Sequence, residues 1–276
     1  MVKKSKISFQ EFEKKALLPL DEITTIFTLD PFSVRLAYFI YKKDLKITPD
    51  QITWFRLIFL APLTIICLFL APILELKIFY LFSAILMYLI MFSDGVDGHL
   101  ARGADKKSTF GGFLDMISDR VVIILFITFL FSLGLFEKSP FIMYGSIFLF
   151  VAKMYNMTVI NKVYYFEQNY TQKGLDERTM FSGLKELDTI GISKVNSLFV
   201  KLNKYLKVKR WCEHTGAYER NIITFILPCL LIFFGLDFIA VVLGYAFVVL
   251  FSYFYISRTQ NLIRDYENVL KGSKKK

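Results

Sequence analysis

Asp94-Gly-Val-Asp97-Gly98-His-Leu-Ala101-Arg102 is followed, eight residues later, by Gly111-Gly-Phe-Leu-Asp115-Met-Ile-Ser-Asp119. Four carboxylates, several small residues and one arginine stand where two apolar runs meet a short polar connection. Charge at a membrane boundary is costly and points to function. If the first run continues as a helix, positions 94, 97, 98 and 101 follow i, i+3, i+4, i+7 and share one face. Gly98 and Ala101 on that face let a bulky ligand approach the backbone. Positions 111, 115 and 119 follow i, i+4, i+8 on the next helix. The loop 103–110 is short, so the two helices are expected to be antiparallel neighbours, and the four carboxylates to converge. Four anions at such a site need cations. Hard oxygen ligands select Mg²⁺, Mn²⁺ or Ca²⁺ over zinc, and four of them could hold one or two ions. Magnesium held this way shares its shell with substrate phosphates, and Arg102 can hydrogen-bond phosphate oxygens. The chemistry indicated is metal-dependent transfer at phosphorus.

The elements that must carry these residues are membrane spans. The chain of 276 residues is 55% apolar, with 30 Phe and 15 Tyr, too apolar for an ordinary soluble domain. The expected fold is all-α and integral to the membrane. It has six transmembrane helices near 52–72, 78–98, 113–135, 140–160, 220–236 and 238–257, and an N-terminal amphipathic juxtamembrane helix. That helix begins at Asp30-Pro31, with Asp as cap and Pro in the first turn. Phe32, Leu36, Phe39 and Ile40 recur along it at helical spacing, beside Arg35, Lys42 and Lys43. Gly235-Leu-Asp237 makes the last two spans a tight hairpin.

Three regions follow: 1–50, cytoplasmic with the interfacial helix; 51–260, the membrane domain with a cytoplasmic insertion at 161–219; and 261–276, a basic tail. Within the insertion a basic interfacial helix is expected over residues 200–211, anchored by Trp211. Basic residues collect on the side holding both termini, Arg102-Lys106-Lys107 and the insertion, which makes that side cytoplasmic together with the acidic stretch.

Depth agrees with convergence. Ile78 to Phe92 is 15 residues, about 22 Å of helix against a hydrocarbon core of about 30 Å. Asp94 and Asp97 therefore sit just inside the cytoplasmic boundary, and Asp115 and Asp119 reach a similar depth. Lys153, Arg220 and Arg56 fall near it too. Arg56 and Arg220 read equally well as snorkelling or as functional cations, whereas Lys153 lies deeper in its run and reads as functional.

Lys and Arg number 34 against 24 Asp and Glu. Because the basic residues flank apolar runs, the excess fits lipid headgroups and topology, not nucleic acid. Cys67, Cys212 and Cys229 have no metal-ligand spacing, and His99 and His214 are isolated, so neither a disulfide framework nor a zinc site is indicated. The start has no apolar core close behind it, which argues against a cleavable signal peptide. Asn156 and Asn169 head glycosylation patterns that the cytoplasmic placement makes chance matches.

The spacing Asp94-x2-Asp97-Gly98-x2-Ala101-Arg102-x8-Gly111-x3-Asp115-x3-Asp119 resembles the signature of the CDP-alcohol phosphotransferase family, with all eight signature residues present. The motif covers 26 residues, and the six-span plan and the Thr48-Pro49 entry extend the likeness. The resemblance implies a membrane enzyme, usually a homodimer, that moves a substituted phosphate from a CDP-alcohol to an acceptor hydroxyl and releases CMP. It implies Asp94, Asp97, Asp115 and Asp119 as ligands of Mg²⁺ or Mn²⁺, with Asp119 also the general base. Asp94, Gly98, Ala101, Arg102, Gly111 and Asp115 would form the CDP site. Direct in-line transfer is favoured over a covalent aspartyl step.

Many members carry Asn where Asp50 stands. The Arg-Glu pair of glycerophosphate-using members is absent from the fourth span, which reads Ala152-Lys153-Met154-Tyr155-Asn156. The expected donor is CDP-diacylglycerol and the expected acceptor a small polar or phosphorylated alcohol, which Lys153, Arg220 and Arg258 would suit if it is anionic. This is a step of phospholipid biosynthesis. The alternative within the class is a soluble CDP-alcohol donor of the CDP-choline, CDP-ethanolamine or polyol type. The alternative outside it is a divalent cation transporter, disfavoured because transporter sites lie at the midplane.

Overall fold

The computed structural model describes residues 7–17, 25–171 and 221–273, and among these every regular element is helical. Four helices are long and apolar enough to cross a membrane: α3 (Pro49–Leu74), α4 (Ile78–Gly103), α5 (Thr109–Phe136) and the Asp237–Ser257 part of α8 (Asp237–Ser273). The other two expected spans correspond to α6 (Pro140–Thr171) and to the shorter apolar helix α7 (Ile222–Phe233). Two helices precede the first span, α1 (Phe9–Ala16) and α2 (Asp30–Lys42). Most of the expected 161–219 insertion, including the helix around Trp211, lies outside the described residues, as does the Lys274–Lys276 end.

Local chemistry explains where these helices start. Ser8 caps α1 in a reciprocal box with Glu11, Thr48 does the same for α3 with Gln51, and the Ser108 hydroxyl accepts from the Gly111 amide to open α5. Gly235, at φ +80, makes the tight turn between α7 and α8, as its place in the sequence led us to expect.

Three short π-helical turns cover Thr25–Leu29, Arg56–Leu60 and Ile222–Ile226. Each is followed at the same offset by a proline: Pro31, Pro62 and Pro228. Proline has no N–H for the carbonyl four residues back, so the i→i−4 ladder is interrupted there. In two of the three, the residue before the proline donates five residues back, Ala61 to Arg56 and Leu227 to Ile222. The first π turn also corrects an expectation. Because helical backbone already runs through 25–29, Asp30 is inside α2 rather than its cap, and its carboxylate turns inward.

The chain forms two compact units, residues 1–143 with 208–244, and residues 144–207 with 245–276. In the first, α1 and α2 pack on the C-terminal part of α4 through Phe12, Ala16, Val34, Ala37, Ile40, Val96 and Leu100. The opposite face of α2 leaves Phe32, Leu36 and Phe39 exposed, so of the four apolar residues expected on one stripe Ile40 joins the core. Spans α3, α4 and α5 are tied by Ser132, whose hydroxyl donates to the Leu68 carbonyl at 2.5 Å and accepts from the Tyr80 hydroxyl at 3.0 Å. A Cβ at Gly134 would lie 2.6 Å from the Met143 amide nitrogen, so only glycine allows that approach. At the end of the unit opposite the motif, Lys77 and Asp237 are paired at 2.5 Å. Burial pushes the nearby Glu137 carboxyl up from its ordinary range, with Asp237 adding to the shift and Lys77 opposing it. In the second unit the Asn156 amide donates to Thr259 Oγ1 at 2.9 Å, and Lys153 lies 5.1 Å from the centre of the Tyr255 ring.

Candidate active site

Helix α4 runs unbroken from Ile78 to Gly103, so the helical spacing of the first half of the motif holds. Asp94, Asp97, Gly98 and Ala101 all face one cavity of about 500 Å³. Helix α5 brings Gly111 and Asp115 to the same cavity, while the start of α3 adds Asp50 and Thr53. Asp119, one turn past Asp115, is exposed and stands off this wall. Three of the four motif carboxylates thus surround one space.

Behind Asp94 and Asp97 on the cavity wall lies a buried charge cluster. Arg56 is 1% exposed, bonds Asp94 through Nη1, and places Nη2 3.5 Å from Asp97 Oδ2. Asp97, 7% exposed, also accepts from the Thr53 hydroxyl at 2.6 Å. The sequence left Arg56 open between snorkelling and function; the structure gives it two carboxylate partners. Thr53 went unremarked. The signal available was the polar series Asp50, Thr53 and Arg56 at three-residue steps at the start of a mostly apolar span.

The glycines of the motif have direct uses. A Cβ on Gly98 would lie 3.1 Å from Nη1 of Arg102 and 3.4 Å from Nη2, so the bare glycine lets the guanidinium fold back over α4. A Cβ on Gly111 would lie 2.9 Å from both Asp50 Oδ1 and Ser108 Oγ, so a side chain there would collide with the cavity wall. Arg102 also donates from Nε to the Ala16 carbonyl of α1 at 2.6 Å. Lys106 and Lys107, read from sequence only as loop charges, line the cavity beside it.

His99, set aside as isolated, is 2% exposed and forms part of the cavity wall. Its Nδ1 lies 3.1 Å from Ser33 Oγ and its Nε2 3.1 Å from Asp30 Oδ1. The Ser33 hydroxyl also donates to the Leu29 carbonyl at 2.8 Å. These contacts lock α2 against α4 beside the motif, and nothing local in the sequence links residues 66 positions apart.

Three residues were expected to meet the acceptor. Lys153 belongs to the second unit, Arg220 lies outside the described residues, and so does the side chain of Arg258.

The donor set is right in kind for a hard divalent ion: carboxylate oxygens around one water-accessible space. Its ligand geometry is not assembled. Among the described residues no three acidic, histidine or cysteine side chains are close enough together to hold an ion. Asp94 and Asp97 instead share the Arg56 guanidinium.

A scan of family models matches residues 46–184 to CDP-alcohol phosphatidyltransferase, half of the chain. The chain belongs to the CDP-alcohol phosphatidyltransferase family. No curated protein matches it. The matched stretch takes in α3, α4, α5 and every motif residue, and α1 and α2 precede it. In this CDP-alcohol phosphatidyltransferase the cavity lies at one end of helices able to cross a membrane. The activity class is therefore CDP-alcohol transfer, and the protein is a membrane transferase.

Proposed function

We propose that this transferase moves a phosphatidyl group from CDP-diacylglycerol to the hydroxyl of a small polar or phosphorylated alcohol and releases CMP, in phospholipid synthesis. The main support is one cavity bordered by Asp94, Asp97, Asp115 and Arg102, with Gly98 and Gly111 bare of side chains against it. It is roomy enough for a nucleotide headgroup and lies at the end of apolar helices that a lipid tail could follow. Residues 51–260 would form the catalytic membrane domain with six spans. The α2 stripe of Phe32, Leu36 and Phe39 would rest in the interface. Both termini and the site would be cytoplasmic, and the enzyme a homodimer.

In this reaction the acceptor oxygen attacks the phosphorus carrying the lipid alcohol, and the bond to CMP breaks. We assign Asp119 to take the hydroxyl proton, because it continues the acidic side of α5 one turn beyond Asp115. Arg102, Lys106 and Lys107 supply cationic donors for the diphosphate. Mg²⁺ or Mn²⁺ held by Asp94, Asp97 and Asp115 would neutralise phosphate charge and stabilise the CMP leaving group.

Purified full-length protein incubated with Mg²⁺ and labelled CDP-diacylglycerol should release CMP once a suitable alcohol is added. Release only from CDP-choline-type or CDP-polyol donors would replace the lipid donor by a soluble one. Divalent-ion uptake into vesicles without CMP release from any donor would favour transport instead. Arg102→Lys is expected to raise the donor KM about tenfold, since an ammonium cannot reproduce the planar fork. Unchanged donor kinetics in that variant would remove Arg102 from the phosphate site.

A further inference from the structure

Helix α1 lies outside the stretch that the family model matches, yet it ends against the motif arginine. Ala16 is its last residue, and the final carbonyls of a helix have no partner within the helix. Arg102 Nε satisfies that carbonyl at 2.6 Å. The Nη end of the same guanidinium lies over Gly98 at the cavity. One edge of the fork is therefore held by α1, and the other is presented to whatever anion the cavity takes.

The helix is itself well anchored. Phe12 is fully buried, and its ring lies so close over Gly103 that a Cβ there would collide with it. Lys15 reaches Asp105 at 2.7 Å across the end of α4, and the Ile7 amide donates to the Tyr41 hydroxyl of α2 at 3.3 Å. Gly103 does not border the cavity, so the α1 contact is separable from the site.

We propose that α1 is a positioning element for Arg102: Phe12, docked over Gly103, holds the Ala16 carbonyl where it fixes the guanidinium with its Nη edge toward the donor diphosphate. A side chain held by one edge before the ligand arrives loses less rotamer freedom on binding. Coupling of this kind is reciprocal, so an occupied diphosphate site must also tighten α1. The proposal rests on the phosphate role assigned to Arg102 under the transfer reading.

Gly103→Ala in the full-length protein tests it. Helix propensity alone makes this change neutral or stabilising, but the new methyl meets the Phe12 ring and must displace α1. The donor KM should rise about fivefold, the low end of coupling between linked sites. Acceptor KM and kcat should stay near wild type. Adding Phe12→Leu, which lacks the ε and ζ ring atoms, should bring the donor KM back. An unchanged donor KM, an equal rise in both KM values, or no recovery in the double variant would overturn the proposal.

Hydrogen exchange supplies an independent reading. Saturating CDP should slow amide exchange across Phe9–Ala16 of the wild type. CDP binding with no change in that segment sinks the positioning role alone. A wild-type chain that binds no CDP sinks the transfer reading and this proposal with it.

Discussion

Asp119→Asn is expected to lower CMP release by about 10²–10⁴-fold, the span over which a positioned general base acts. CDP affinity and the thermal midpoint in detergent should remain at wild type. The two halves of this expectation have separate grounds. Asparagine matches aspartate in shape but cannot take a proton from the acceptor hydroxyl, so the chemical step suffers. Asp119 is exposed and does not border the cavity walled by Asp94, Asp97 and Asp115, and asparagine keeps its size and its accepting oxygen, so folding and nucleotide binding are expected to persist. Single-turnover measurement of CMP release, beside calorimetric titration with CDP, separates the two. Turnover at the wild-type rate would move the base to another group. Loss of CDP binding in step with turnover would place Asp119 in the nucleotide site rather than at the acceptor.

How the motif projects from its helices was legible because helix geometry is local. At about 100° per residue, positions 94, 97, 98 and 101 fall within a sector of about 100°, and all four border the cavity. Positions 111, 115 and 119 drift by about 40° at each step of four. Their sector of about 80° is narrow enough for one side of α5, but Asp119 lies about 12 Å along the helix from Gly111, past the cavity that Gly111 and Asp115 border. The three prolines were visible too, yet their widened turns depend on the helix continuing upstream, and that hid the helical placement of Asp30. What remained hidden is tertiary. Arg56 is 38 residues from Asp94, and Ala16 is 86 from Arg102. A lone cation in an apolar run has the same sequence pattern whether it snorkels to a headgroup or neutralises a carboxylate. Burial decides between them, and burial depends on which helices become neighbours.

Arg56→Met is expected to destabilise the protein by about 3–5 kcal/mol, the usual cost of removing one partner from a buried ion pair. Methionine occupies a similar length of the span, so the loss reports charge rather than a cavity. Asp97, already buried against Thr53, would keep its hydroxyl donor but lose its cation, and Asp94 would lose its bonded partner beside it. The thermal midpoint in detergent should fall by about 10 °C, given about 2–4 °C for each kcal/mol at this size. Arg56→Lys should fall less, because one ammonium keeps the charge but cannot reach both carboxylates as the fork does. A midpoint at the wild-type value in both variants would show that the two acids do not need the guanidinium. Divalent ions give the experiment a second use. With Arg56 gone, Asp94 and Asp97 become an anionic pair without its internal cation, so Mn²⁺ should raise the midpoint of the Met variant more than that of the wild type. Ion at 100 times its Kd returns about 2.7 kcal/mol. Recovery of that order would identify these carboxylates as ion ligands and Arg56 as the cation that shares them. Equal shifts in both proteins would place the ion elsewhere.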